Sequence, residues 1–121
     1  MDAEELKQRT KGFALRIIKL VAALPKSIEG RAIANQLVRS GTSVAANYRS
    51  ACRARSRAEF IAKLGVVLEE ADETLLWLEL IIAGEILPAN RVDQLLNEAN
   101  ELVAIFVASR KSAASNLKSE I

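Results

Sequence analysis

Four stretches of the chain carry apolar residues at the alternating three- and four-residue spacings of amphipathic helices. The first predicted helix runs from about Asp2 to Ala23, because Pro25 disfavours helical backbone in the residue before it. The second helix follows Ser27, a candidate N-cap residue. The third follows Ser56, which together with Glu59 matches the S-x-x-E capping box.

The third predicted helix extends to Ala83, with Gly84 as its C-cap, and the fourth begins near Val92 and frays after Arg110. The predicted core-facing positions are Phe13, Ile17, Leu20 and Leu24; Ile33, Leu37, Val44, Tyr48 and Ala51; Phe60, Leu64, Val67, Leu68, Ala71, Leu75, Leu78 and Ile82; and Val92, Leu95, Leu96, Ala99, Leu102, Val103 and Phe106. Four such helices with short connections predict an all-α fold, an antiparallel up-down-up-down four-helix bundle. We expect residues 1–121 to form a single domain with 111–121 as a frayed tail.

Two features leave alternatives open. The segment Ser40–Ser43 has a loop-like composition, but the apolar spacing continues from Leu37 to Val44, so we predict an unbroken helix in which small residues allow close packing; a break at Gly41 is the alternative. The first helix also carries a second apolar line, at Ala14, Ile18 and Val21. This excess predicts either self-association or simply a broad core-facing stripe.

Composition narrows the possible functions. The 121 residues include no uncharged apolar run long enough to cross a membrane, and Met1–Thr10 lacks the apolar core of a signal peptide, so we expect a cytoplasmic protein. With no histidine and with Cys52 as the one cysteine, the usual zinc and haem sites cannot be built by one chain. We therefore predict no cofactor, no metal and no enzymatic activity. Cys52 is interpreted as a small packing residue, with a thiol activated by Arg49 and Arg53 as the alternative.

Charge is distributed unevenly along the chain. Residues 39–63 contain six cations and one acid, a net charge of +5, whereas residues 64–85 contain six acids and no cation, a net charge of −6. The basic corner, residues 53–57, lies between the second and third helices. The candidate nucleic-acid-binding residues are Arg49, Arg53, Arg55, Arg57 and Lys63. Because the nearby Tyr48 and Phe60 lie on core stripes, the predicted contacts are with phosphates rather than by base stacking.

The same cations can instead pair with acids, within or between subunits, or remain solvated. Antiparallel helices align residues at equal distances from the turn, so Arg49 is expected near residues 59–63 rather than near Glu69. The arginines of the basic corner are therefore expected to be only partly neutralised by the acids Glu69, Glu70, Asp72 and Glu73. Those acids are interpreted as a solvated or helix-pairing face rather than as a metal centre, which would need histidine.

Specific motifs resemble a known family. They are Asn47-Tyr48-Arg49, Arg53-Ala54, Ser56 with Glu59-Phe60, Lys63-Leu64, Glu70-Ala71, Glu73-Thr74 and Trp77-Leu78, with Leu24-Pro25, Gln36-Leu37 and Arg39-Ser40 upstream. The chain from about Phe13 to Phe106 resembles the bacterial four-helix bundle proteins encoded within intervening sequences of large-subunit ribosomal RNA genes. The resemblance implies a ring-shaped homopentamer and no catalytic residues. More distantly, the chain resembles the accessory protein of diversity-generating retroelements, which shares the pentameric form and binds nucleic acid through a basic surface.

Two functions remain as hypotheses. In the first, a homo-oligomer contacts RNA or DNA phosphates through its basic surface. In the second, the chain is an assembly or adaptor module whose arginines pair with acids of the same or a neighbouring subunit, with no nucleic-acid role. Neither hypothesis involves a membrane.

Overall fold

The computed structural model describes residues 1–120 and consists of four long helices. They are α1 (Ala3–Ala22), α2 (Ile28–Cys52), α3 (Arg57–Ala83) and α4 (Asp93–Glu120), with a short 3-10 helix (Ala89–Arg91) before α4. Consecutive helices pack against each other as antiparallel neighbours, which confirms the predicted four-helix bundle. Within the described residues, no helix combines the length and the hydropathy needed to cross a lipid bilayer.

A side-chain cap begins each of the first three helices. Asp2 accepts a hydrogen bond from the Glu5 amide at 2.8 Å, and Ser27 and Ser56 accept from the amides three residues on, each at 3.1 Å. These caps satisfy amides that have no partner within the first helical turn. The predicted capping box is half formed in the described part of the chain, because the carboxylate of Glu59 lies 4.0 Å from Lys63 Nζ and is not hydrogen-bonded to the Ser56 amide.

The helix α2 is unbroken across Gly41, as the apolar spacing predicted. A β-carbon at Gly41 would lie 2.8 Å from both γ-carbons of Ile17 on α1, so glycine lets α1 and α2 approach closely. One residue earlier, Ser40 Oγ hydrogen-bonds Thr74 Oγ1 of α3 at 2.9 Å, and both side chains are fully buried. The small residues of α2 therefore bring α1 and α3 close to it at the same height in the bundle.

The contact between α1 and α4 is the least extensive of the four sides and is centred on an ion pair. The guanidinium of Arg9 donates to both carboxylate oxygens of Glu98, at 2.6 and 2.8 Å, and lies 3.3 Å from Glu101. The hydrogen bond from Arg9 holds the pKa of Glu98 below its ordinary value. The pair is largely buried and links α1 to α4 along the side of the bundle where the helix contact is least extensive.

The end of α4 differs from the prediction. Fraying was expected after Arg110, but the helix continues to Glu120. Ala113 is buried in this last part and Arg110 Nε donates to the Ile61 carbonyl at 3.3 Å, so the final turns pack beside the start of α3. Small residues gave this segment too weak an apolar pattern for the packing to be predicted. Residue 121 lies outside the described residues.

The turn after α3 places a non-glycine residue in the left-handed region. Gly84 is the C-cap, as predicted, but its φ is −82°, and Glu85 has φ 55°. The amides of Glu85 and Ile86 donate to the carbonyls of Ile82 and Ile81, at 3.0 and 2.9 Å, a Schellman motif. The left-handed residue of this motif is usually glycine, because a β-carbon is disfavoured there.

We expect Glu85→Gly to stabilise the protein by about 0.5–1 kcal/mol, because relief of the left-handed strain outweighs the added entropy of the unfolded chain. Urea denaturation at one protein concentration measures the difference. Glu85→Ala is the control, since it removes the charge but keeps the β-carbon, and its stability should stay near wild type. Equal stabilisation by both variants would assign the effect to charge and not to backbone conformation.

Candidate nucleic-acid interface

A tight turn brings the last turn of α2 beside the first turns of α3. The amides of Arg53 and Ala54 donate to the carbonyls of Ser50 and Ala51, at 3.1 and 3.0 Å, and Ser56 then caps α3. Cationic residues on the facing sides of the two helices are thereby carried to one end of the bundle. This geometry follows from local sequence, since it depends only on the short connection and its cap.

Four of the five candidate residues line one open cleft between α2 and α3. Arg49, Arg53, Arg55 and Lys63 lie around it, and Glu59 is the one acid in its lining. Lys63 Nζ donates to Ser50 Oγ on α2 at 2.7 Å, which fixes the side chain across the cleft. The position of Arg49 beside residues 59–63 agrees with the register predicted from the turn.

Arg57 is separated from the other four. It lines a different, mostly apolar cleft beside Tyr48, Cys52 and Phe60. Burial and the neighbouring Cys52 thiol raise the pKa of the Tyr48 phenol, so this cleft is chemically unlike the basic one. The α2–α3 cleft therefore contains Arg49, Arg53, Arg55 and Lys63, and Arg57 belongs to its neighbour.

A second basic cleft, between α1 and α2, adds residues that sequence reasoning missed. Lys7 and Lys11 line it together with Arg49 and Arg53, and Glu4 is its acid, 3.6 Å from Lys7 Nζ. The two lysines lie four residues apart on α1, on one helix face. The predicted antiparallel hairpin of the first two helices already implied this cleft, because it places the start of α1 beside the end of α2.

The acidic part of α3 is paired with a cation away from the basic corner. Arg39 lies across the helix pair from Glu70 and Glu73, bonding the Glu70 carboxylate at 3.2 Å and the Glu73 carboxylate in a short contact. The hydrogen bond from Arg39 lowers the pKa of Glu73, which also accepts from Trp77 Nε1. Arg39 belongs to the basic segment of the sequence, residues 39–63, but its charge is compensated by these two acids.

The remaining arginines of the cleft lack such partners. Among the described side chains, residues 1–119, no carboxylate forms an ion pair with Arg49, Arg53 or Arg55, and all three arginines are exposed. A guanidinium group is a planar cation that presents several donors to phosphate oxygens. In the same described part of the chain, no group of three or more potential ligands is placed to hold a metal ion. The exposed guanidinium groups of the cleft suit this surface to the recognition of anions.

The chain is similar to a known protein family and to a solved structure. A sequence model described as "23S rRNA-intervening sequence protein" matches residues 4–108. The fold is similar to the crystal structure of a protein of unknown function from the S23 ribosomal protein family of Bacteroides thetaiotaomicron VPI-5482, with a TM-score of 0.84 and 36% sequence identity. That similarity covers 92% of this chain and 99% of the other. No curated protein matches this chain.

Proposed function

The chain belongs to the 23S rRNA-intervening sequence protein family, and on that premise we propose that it is a homo-oligomer that binds RNA or DNA phosphates through its basic clefts. The oligomer that we propose is the pentamer implied by the sequence resemblance. The observation that carries the nucleic-acid proposal is the α2–α3 cleft, where three exposed arginines have no carboxylate partner within the described residues. Unpaired cations of this kind bind polyanions by releasing condensed counterions.

The mode of binding follows from the side chains near the cleft. Tyr48 is buried in the core and Phe60 is half-buried, so neither offers an open ring face for stacking on a base. Arginine and lysine contacts to phosphates carry little sequence information and depend strongly on salt. We therefore propose binding with weak sequence preference, strongest at low ionic strength.

The decisive variant replaces Arg49, Arg53 and Arg55 with glutamine. We expect its affinity for a structured RNA hairpin to fall at least about tenfold at low salt, and the slope of log affinity against log salt to fall by about two to three. Fluorescence anisotropy between about 50 and 200 mM salt measures both quantities. The side chains are exposed, so the thermal stability should change little.

A matched control removes the same charge from the opposite end of the bundle. It replaces Lys26, Arg31 and Arg91 with glutamine, three exposed cations without an ion pair to the side chains that the structure describes. The control should keep nearly the wild-type affinity and salt slope. Equal losses in the two triple variants would mean that overall charge attracts the RNA, and absence of binding by the wild type at low salt would refute the proposal.

The triple arginine variant also distinguishes nucleic-acid binding from the alternative function, assembly without a nucleic-acid role. If the arginines contact acids of a neighbouring subunit, their removal dissociates the oligomer, and light scattering then reports a lower mass. If they contact phosphates, the mass is unchanged while RNA binding is lost. The paired arrangement of Arg39 with Glu70 and Glu73 favours the second outcome, because it leaves those acids already bonded within one chain.

A further inference from the structure

The outward face of α1 carries an apolar stripe between lysines. Leu15 is 58% exposed and Ile18 48% exposed, and Ala22 continues the stripe by one turn. Lys11 and Lys19 are exposed beside it and form no ion pair with the described side chains of residues 1–119. Of the second apolar line predicted for the first helix, only Ile18 is exposed, because Ala14 is buried and Val21 packs partly buried against the core.

The outward face of α3 is also apolar but carries the opposite charge. Val66, Leu76 and Leu80 are 42%, 48% and 40% exposed. Glu69 and Asp72 are exposed along the same side of the helix, also without an ion pair in the described chain. A helix that is apolar on its outer face as well as its core face has more surface to bury than one bundle can cover.

These two faces point away from each other in one copy. Both α1 and α3 pack on α2, on opposite sides of it, so they lie across the diagonal of the bundle. Ile17 meets α2 at Gly41 and Thr74 meets it at Ser40, which places Ile17 and Thr74 at the same height. The apolar stripes of α1 and α3 are therefore level with each other, and the two helices run in the same direction.

We infer that the α1 face of one copy docks on the α3 face of the next copy. Leu15 and Ile18 would pack against Leu76 and its neighbours, with the lysines of α1 facing the acids of α3. The inference rests on the self-association part of the proposed function and names its surfaces. A contact between two different faces is heterologous, and it forms a closed ring when the rotation from each copy to the next divides a full turn.

The charges disfavour the two symmetric alternatives. An α1-to-α1 contact would bring Lys11 and Lys19 against their own copies, and an α3-to-α3 contact would do the same with Glu69 and Asp72. Like charges brought together at an interface are costly, whereas α1 against α3 pairs opposite signs. Only the heterologous contact uses both apolar stripes without such repulsion.

Two variants with one damaged face each test the inference. The first is Leu15→Gln with Ile18→Gln, and the second is Leu76→Gln with Leu80→Gln. Each should weaken self-association at least about 100-fold, because two apolar side chains are lost from the contact. Analytical ultracentrifugation should then find each variant monomeric at concentrations where the wild type is assembled, and circular dichroism should find both folded.

The mass of an equimolar mixture of the two variants tests the pairing of the faces most directly. Each variant retains the face that the other lacks, so an equimolar mixture should form a dimer and nothing larger. A monomeric mixture would overturn the pairing of α1 with α3. Persistence of wild-type assembly in either variant would exclude that face from the interface. The control, Ile28→Gln with Val107→Gln, alters exposed apolar residues outside both faces and should assemble like wild type.

The outcomes also separate this inference from the proposed function. A monomeric wild type would overturn self-association itself, and the docking inference with it. An assembled wild type whose face variants remain assembled overturns only the docking inference. Because none of the substituted residues lies in the α2–α3 cleft, RNA binding by a monomeric variant can be measured independently.

Discussion

Gly41→Ala is expected to destabilise the protein by about 2 kcal/mol, despite the better helix propensity of alanine. The added β-carbon would lie 2.8 Å from both γ-carbons of Ile17 and 3.1 Å from its β-carbon. These atoms belong to the stiff, branched part of a fully buried side chain, so α1 and α2 must move apart. Urea denaturation at one protein concentration measures the free energy of unfolding.

Gly12→Ala on α1 is the matched control, since the added β-carbon would have no neighbouring atom within 4 Å. It should stabilise the protein by about 0.8–1 kcal/mol, the intrinsic preference of a helix for alanine over glycine. A double-mutant cycle of Gly41→Ala with Ile17→Ala should show that the cavity left by Ile17 accommodates the added methyl group, with a coupling of about 1 kcal/mol or more. Stabilisation by both glycine replacements would contradict the close approach of α1 and α2.

Phe106→Ala is expected to cost about 3–5 kcal/mol, the range for truncation of a fully buried phenylalanine. The ring is fully buried in α4, with its centroid 5.6 Å from that of Tyr48 on α2 at an interplanar angle of 45°. Truncation leaves a cavity and removes the aromatic pair, which itself contributes about 0.5–1.5 kcal/mol. Chemical denaturation gives the change, provided that the slope with denaturant is unchanged.

The milder Phe106→Leu keeps the prediction measurable if the alanine variant does not fold. It retains most of the apolar volume and should cost well under half as much. Tyr48→Phe keeps the ring and removes only the hydroxyl, so it should cost about 1 kcal/mol. A Phe106→Ala variant within about 1 kcal/mol of wild type would show that the surroundings collapse into the space, contrary to tight packing around the ring.

The helices were predictable because local signals agree with the global pattern. Ser27 and Ser56 cap where the sequence predicts a start, and the continuous spacing from Leu37 to Val44 correctly outweighed the loop-like composition around Gly41. The end of α4 was not predictable, because its buried position is an alanine. A residue this small gives only a weak apolar signal in the sequence, although Ala113 is buried in the folded protein. At Glu85, the left-handed backbone is imposed by the turn against the preference of the residue.

The sequence predicted where the basic cleft lies, but not which residues line it. The turn register correctly placed Arg49 beside residues 59–63, a consequence of antiparallel geometry alone. The pairing of Arg39 with two acids and the separation of Arg57 depend on side-chain direction across packed helices. Lys7 was missed for a related reason, since its cleft joins residues that are far apart in the chain.

The position of the α2–α3 cleft at one end of the bundle has a consequence for binding strength. One cleft offers only a few cations, so a single copy is expected to hold a polyanion weakly. Rotation about a symmetry axis keeps equivalent points level, and any cyclic assembly of this chain would carry all of its clefts on one rim. A strand bound at one cleft then meets the next at a high effective concentration, and avidity can exceed the single-site affinity by about 10²–10⁴. The number of copies in the assembly would thus set the affinity for a nucleic acid long enough to reach several clefts. A short nucleic acid, which reaches only one cleft, would still bind weakly.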